Sequence, residues 1–189
     1  KLFIDSGLVS EGIISIQTRD KNTLKIIDRE NIKNEKYDEL LEEFRKFKLP
    51  ITTDLMIALP GQSVESFKND LQFYFNKQVP LKVYHTQLLE NTPMDKPEYK
   101  QRYNLEVDED NFISSTSTLS ENDLLKISAL TKTYHAATNY GIIKYVLYYL
   151  QMEYKISSID FLAKLNELIY SYPVSPYPMV KKVVNNFAF

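Results

Sequence analysis

Gln17, Arg29 and Asp54 are the side chains whose types and spacing could form a ligand site. Asp54 interrupts an apolar run, Gln17 lies near the end of a β-branched run, and Arg29 closes a helix-like run. A carboxylate accepts hydrogen bonds from hydroxyls or pairs with an ammonium group, whereas a guanidinium binds carboxylates. Together they would suit a ligand that carries a diol, an ammonium group and a carboxylate.

Each of these residues taken alone also has a structural explanation. A single Asp in a strand is more often an edge or ion-paired residue, and a single Gln is more often a satisfied amide. His85 and His135 have no carboxylate or Cys partner at ligand spacing. The sequence therefore predicts no metal site, and it assigns no catalytic residue.

The elements that must position these side chains alternate between strand-like and helix-like runs. β-Branched and apolar residues predict three strands, at 12–18, 51–59 and 81–89. Apolar residues at three- and four-residue spacing predict three helices, at 22–29, 37–48 and 64–77. This order is typical of parallel βαβ units, in which ligands bind beyond the carboxyl ends of the strands. The pattern leaves a doubly wound sheet and a (β/α) barrel both open.

The second half of the chain reads as helical. After a polar loop at 90–112 no convincing strand appears, and helices are predicted at 117–138, 141–154 and 157–172. Ser120 is the expected N-cap of the first of them, with Asp123 completing a capping-box variant. We therefore expect two parts, an α/β part at 1–116 and an all-helical part at 117–189.

Composition excludes several classes of function. The 189 residues carry a formal net charge of −2, which argues against a general nucleic-acid binder. There is no cysteine, so this sequence holds no disulfide, thiolate zinc site or thiolate-held iron–sulfur cluster. The most apolar run, 142–152, is shorter than the ~20 residues that span a bilayer. We expect no membrane association and a cytoplasmic location.

Two runs resemble a known family in their order and spacing. These are "ISIQTRDKNTLKIIDREN" and "TTDLMIALPGQSVESFKNDLQF", and "LLENTPM" follows them. They resemble the C-terminal half of radical S-adenosylmethionine (SAM) enzymes, in the group with anaerobic coproporphyrinogen oxidases, methylthiotransferases and cobalamin-binding enzymes. The resemblance implies the last three βα units of a (β/α) barrel, followed by a helical segment.

The resemblance also assigns cofactor-binding roles to five residues. Gln17 matches an amide that lies along bound SAM, and Arg29 matches an arginine that contacts its methionyl carboxylate or ribose region. Asp54 matches the acid that hydrogen-bonds the ribose hydroxyls. Gln87 and Leu88 match a segment near the adenine. These residues would orient SAM for 5′-deoxyadenosyl-radical chemistry, while the helical segment would cover the substrate side.

The departures from the family pattern carry their own implications. The family holds a [4Fe-4S] cluster with a Cys-x3-Cys-x2-Cys loop, and this sequence has no cysteine and begins with Lys1. The resemblance therefore implies a C-terminal fragment of an oxidoreductase or transferase whose partner is the missing N-terminal half, and we expect the isolated chain to be inactive. Ala58 replaces the usual Gly of "GLPG". Cobalamin use is compatible with the resemblance, and the small-molecule substrate is not specified.

Two other functions remain open from the sequence. The first is a catalytically inert α/β module that serves binding or scaffolding. The second is an unrelated phosphate-binding domain that uses the Gly61 turn before the helix at 64–77.

Overall fold

A computed structural model of the chain describes residues 6, 11–170 and 178–186. Its centre is a parallel sheet of three strands, β1 (Gly12–Gln17), β2 (Ile51–Ile57) and β3 (Leu81–His85), in the order β1-β2-β3. Between β1 and β2 lie α1 (Lys21–Ile26) and α2 (Asn34–Lys46), and α3 (Val64–Lys77) connects β2 to β3. The three strands and the helices between them occur where the sequence predicts them, except that β3 ends at His85 rather than at residue 89 and α1 ends at Ile26 rather than at residue 29. The partial barrel implied by the family resemblance stays a prediction.

The two faces of this sheet differ in burial. On one face, Thr53, Leu55 and Ile57 of β2 are buried in the main apolar cluster, together with Phe67 and Leu71 of α3. On the other face, alternate side chains of the three strands are half-buried or exposed: Ile13, Ser15, Asp54, Met56, Lys82 and Tyr84. We call this second surface the open face. Parallel sheets are normally covered on both faces, so an open face that holds charged groups is unusual.

Capping side chains mark the N-termini of the two helices α3 and α5 (Glu121–Tyr134). Ser63 caps α3, because its Oγ accepts from Ser66 N at 3.0 Å while Ser66 Oγ accepts from Ser63 N at 2.9 Å. Ser120 and Asp123 form the equivalent capping box of α5, and a π-helical turn follows at His135–Asn139. The N-cap at Ser120, with Asp123 in its capping box, is as predicted.

The segment after β3 differs from the prediction of a polar loop. It contains α4 (Pro97–Tyr103) and an antiparallel pair, β4 (Glu106–Val107) with β5 (Ile113–Ser115). The prediction of no strand in this part was therefore wrong. These strands are too short to show an alternating pattern, and their pairing depends on a turn in which Asp108 accepts from Asp110 N and Phe112 N.

The C-terminal helices pack on the helices of the sheet. They are α6 (Lys144–Tyr154), α7 (Ser158–Tyr170) and α8 (Pro178–Asn186). α7 contacts α3 and α5, and its Ile159 and Leu162 join the same apolar cluster as Leu55. No helix in the described ranges is long and apolar enough to cross a membrane. Residues 171–177, which include the last two positions of the helix predicted at 157–172, lie outside the described residues.

Candidate functional site

Asp54 lies on the central strand and faces the open side of the sheet. Its Oδ2 atom accepts a hydrogen bond from Ser15 Oγ at 3.1 Å. Its Oδ1 atom is buried and has no hydrogen-bond partner among the described residues. Lys82, its neighbour in register on β3, pairs with Glu11 at 3.5 Å. A buried carboxylate oxygen without a donor is uncommon in folded proteins and marks a place where a ligand hydroxyl or ammonium group could bind.

Arg29 reaches the same part of the sheet from the loop after α1. Asp28 adopts a left-handed conformation with φ +52°, and Arg29 N donates to Leu24 O at 2.9 Å, which ends the helix. The Arg29 Nη2 atom donates to the carbonyl oxygen of Ser15 at 3.0 Å. Ser15 therefore contacts both predicted ligand groups, Asp54 through its hydroxyl and Arg29 through its carbonyl.

Gln17 lies at a break in the pairing of β1 with β2. The register shifts between Ser15 and Gln17, and Gln17 has φ +69°. The simple alternation that would place Gln17 on the face of Ser15 does not hold across this bulge. Its side chain is half-buried and forms no hydrogen bond with the described residues. The structure thus leaves this amide available at the carboxyl end of β1, in a backbone conformation that is strained for a non-glycine residue.

Gln87 and Leu88 are held by the β4–β5 hairpin. The predicted strand 81–89 ends at His85, which pairs with Ile57, the last residue of β2. Thr86 N and Thr86 Oγ1 then both donate to Ile57 O, at 3.0 and 2.6 Å. Gln87 is exposed and its amide donates to Asp110 O at 2.9 Å. Leu88 is buried and its N donates to Asn111 O at 2.7 Å. No contact of these two residues joins them to Asp54 or Arg29 within the described part of the chain.

Asp70 was not singled out from the sequence, although it is among the most buried acids of the described chain. It is 2% exposed, and its carboxylate accepts from Thr18 Oγ1 at 2.7 Å and from Arg19 N at 2.9 Å. Burial raises the pKa of Asp70 to about 6, against the opposing effect of those two hydrogen bonds. Asp70 lies three residues after Phe67 and four residues before Tyr74, so the helical period places it on the buried side of α3. This spacing is the sequence feature that could have indicated its burial.

Both histidines have structural partners. His85 Nε2 lies 2.8 Å from Ile113 O, and His135 Nδ1 lies 2.7 Å from the Asn139 amide nitrogen. Burial lowers the pKa of His135, which favours the neutral ring. Among the described residues, no three His, Asp or Glu side chains are grouped in a way that could hold a metal ion.

The residues that follow Gly61 form hydrogen bonds with other protein groups. Gln62 is fully buried; its side-chain Nε2 atom donates to Met56 O at 3.0 Å, and its backbone carbonyl oxygen accepts from Thr118 Oγ1 at 2.8 Å. The capping box of Ser63 and Ser66 uses the N–H groups of these two serines at the start of α3. Two of the N–H groups near this turn therefore already have partners within the protein.

Comparisons with known proteins point to one class. No protein-family model matches the sequence. Part of the sequence is similar to cobalamin-dependent radical SAM methyltransferases, and the similarity holds only at the level of this group of enzymes.

Two relatives illustrate this similarity. The cobalamin-dependent radical SAM methyltransferase TokK of Streptomyces tokunonensis is 28% identical over 107 residues. The 2-(S-pantetheinyl)-carbapenam-3-carboxylate methyltransferase of Streptantibioticus cattleyicolor is 29% identical over 107 residues. In both cases the match covers 56% of this chain and 16% of the relative, so the chain spans a small part of the proteins that it matches.

Proposed function

We propose that this chain forms the SAM-orienting part of a radical SAM barrel and contributes binding groups rather than the radical-generating cluster. The observation that carries the proposal is the buried Asp54 Oδ1, which has no donor among the described residues and faces the open side of the sheet. A ribose diol would supply the missing donor. The similarity to radical SAM methyltransferases supports the same assignment.

Ser15 and Arg29 define the rest of the binding geometry. Ser15 holds Asp54 Oδ2, so that the free oxygen keeps a fixed orientation. Arg29 donates one N–H to Ser15 O, which leaves further N–H groups of its guanidinium for a ligand carboxylate. Gln17 adds an amide at the end of the same strand. The carboxylate, guanidinium and amide fit the hydroxyl, carboxylate and ammonium groups of SAM.

The open face supports a barrel rather than a free-standing sheet. Asp54 and Lys82 occupy adjacent positions on this face, and the outer strands β1 and β3 each have one unpaired edge within the described residues. Further βα units at those edges would enclose the face as a barrel interior, where polar groups meet a ligand.

In this proposal, different parts of the protein bind different cofactors: this chain binds SAM, and the iron–sulfur cluster is bound elsewhere. SAM, when bound, supplies the methyl and adenosyl groups of the family's chemistry. Because this sequence has no cysteine, the ligands of a [4Fe-4S] cluster would come from a part of the protein outside it. Cobalamin use and methyl transfer come into the proposal through the similarity to TokK. The substrate is left as an unspecified small molecule.

Calorimetry with S-adenosylhomocysteine tests the proposal in a protein that joins this chain to its cluster-binding segment. Asp54→Ala and Arg29→Ala should each weaken binding by roughly 10- to 100-fold, because each removes a charged hydrogen-bonding group. Lys182→Ala on α8 is the control and should bind as the wild type does. Unchanged affinity in both site variants would overturn the assignment. The 189-residue chain alone, reconstituted under anaerobic conditions, should not cleave SAM.

A further inference from the structure

A large cavity lies on the side of the sheet opposite Asp54. It is a groove of about 790 Å³ between α1, the loop that follows it, and the helices α2 and α3. Its apolar wall is formed by Ile16, Ile32, Tyr37, Phe73 and Tyr74. The volume is within the range of small-molecule sites, about 300–1,000 Å³. We call it the α1–α3 groove.

The α1–α3 groove carries an excess of positive charge. Five cationic side chains line it, and two acids accompany them: Arg19, Lys21, Lys25, Arg29 and Lys33, with Asp28 and Glu30. None of these seven side chains forms a salt bridge with a described residue. Because cations outnumber acids in the groove, five to two, the groove should raise the local concentration of anions.

Arg19 is the cation with the most defined position. Its backbone N donates to the buried Asp70 at 2.9 Å, which fixes the main chain at the mouth of the groove. Its guanidinium carbon lies 3.3 Å from the centroid of the Phe73 ring. Stacking on an aromatic ring leaves the N–H groups at the edge of the guanidinium free to bind an anion in a bidentate manner.

Asn31 adds a second, independent feature. Its amide nitrogen donates to Thr18 O at 2.7 Å, which fixes the orientation of the amide. Its Oδ1 atom is buried and has no donor among the described residues. Asn31 lines the same groove as Arg19 and Lys33. A ligand there satisfies this oxygen only if it brings an O–H or N–H group.

We propose that the α1–α3 groove binds an organic phosphate of the nucleotide class. The phosphate groups lie among Arg19, Lys21 and Lys33, and a hydroxyl or amino group of the organic part donates to Asn31 Oδ1. The apolar wall at Tyr37 receives the organic part. This site is separate from the open face, and only Arg29 contributes to both.

Calorimetry with ADP and with pyrophosphate on the 189-residue chain tests the proposal. ADP should bind, and Arg19→Gln should raise its Kd about tenfold, because a charged hydrogen-bonding group is lost. Lys33→Gln, an exposed residue whose loss does not threaten the fold, should act in the same direction. Lys182→Gln on α8 changes the charge equally and should leave the Kd unchanged. Pyrophosphate should bind more weakly than ADP, because it brings no donor to Asn31.

Three outcomes would overturn the proposal. Absence of ADP binding at low ionic strength rejects the site, and equal effects of Lys182→Gln and Lys33→Gln show that net charge alone attracts the anion. Equal affinity for pyrophosphate and ADP rejects recognition of the organic part. Asp54→Ala should leave ADP binding intact, so failure of this proposal is distinct from failure of the SAM site.

Discussion

Ser15 Oγ donates a hydrogen bond to Asp54 Oδ2 at 3.1 Å across the adjacent strands β1 and β2. The carbonyl of the same serine accepts from Arg29. Ser15 is therefore a positioning residue for the two charged groups of the proposed SAM site. It is exposed, so its loss should affect ligand binding more than the free energy of unfolding.

Ser15→Ala should weaken binding of S-adenosylhomocysteine about fivefold, because Asp54 loses the hydrogen bond that orients it. Ser15→Thr keeps the hydroxyl in a residue type that suits strands, and it should restore most of the affinity. Calorimetry on the cluster-containing protein measures both. Equal binding by the alanine variant and the wild type would show that Asp54 is oriented by other contacts.

The raised pKa of Asp70 makes the free energy of unfolding depend on pH. Because burial raises its pKa from 3.8 to about 6, the folded state binds the proton more tightly than the unfolded state. The stabilisation that protonated Asp70 gives to the folded state is therefore fully present below pH 4 and is lost as the pH rises through about 6. Its size is roughly 3 kcal/mol at 1.36 kcal/mol per pKa unit.

Asp70→Asn tests this dependence, because an amide keeps an acceptor for Thr18 and does not titrate. Urea unfolding at pH 4 and pH 7 should show a larger loss of stability in the wild type than in the variant. Glu109→Gln, at an exposed position, is the control and should follow the wild type. A pH dependence of Asp70→Asn identical to that of the wild type would contradict the prediction.

Local sequence signals predicted the elements that form through local interactions. The bounds of α3 agree with the predicted helix at 64–77 because Ser63 caps its start and Pro80 follows its end. The two-residue period of a strand accounts for the burial of Thr53, Leu55 and Ile57 on one face of β2 and for the position of Asp54 on the other. The β4–β5 hairpin could not be predicted this way, because two- and three-residue strands carry no period.

The candidate site was predictable only in part. The side on which Asp54 lies follows from strand period, but the shift after Ser15 that gives Gln17 φ +69° depends on tertiary packing. The hydrogen bond from Arg29 to Ser15 O joins a loop to a strand. Residue spacing in the sequence cannot predict such a contact, because it depends on how the two segments fold together. Ala58 has φ +67°, which explains why a glycine suits this position in the family pattern.

Gly61→Ala should lower the free energy of unfolding by about 1–2 kcal/mol, because Gly61 has φ +86° and an added Cβ would also require the end of the Ile26 side chain to move. Gly141→Ala is the matched comparison. It has φ +74° with no atom within 4 Å of the added Cβ, so it carries the backbone strain without any such movement. Urea denaturation should therefore show the larger loss at Gly61, and equal losses would contradict the role of Ile26.

Gln72 joins α3 to the C-terminal helices. Its amide nitrogen donates to Asn76 Oδ1 at 2.8 Å and to Gln151 Oε1 at 3.0 Å, while its oxygen accepts from Ser157 Oγ at 2.9 Å and Ile159 N at 3.2 Å. The bonds to Gln151, Ser157 and Ile159 cross the predicted boundary between 1–116 and 117–189. Gln72→Ala should lower the free energy of unfolding by about 2–3 kcal/mol, because several half-buried partners lose their bonds.

Gln101→Ala is the control for Gln72→Ala, since Gln101 is exposed on α4 and its side chain has no partner among the described residues. It should change the free energy of unfolding by less than about 0.5 kcal/mol. In the wild type, circular dichroism and tyrosine fluorescence should report one coincident urea transition, because the helical part shares its core with the sheet through Leu162. Two separate transitions would show that the C-terminal helices fold independently and that the Gln72 contacts couple the parts only weakly.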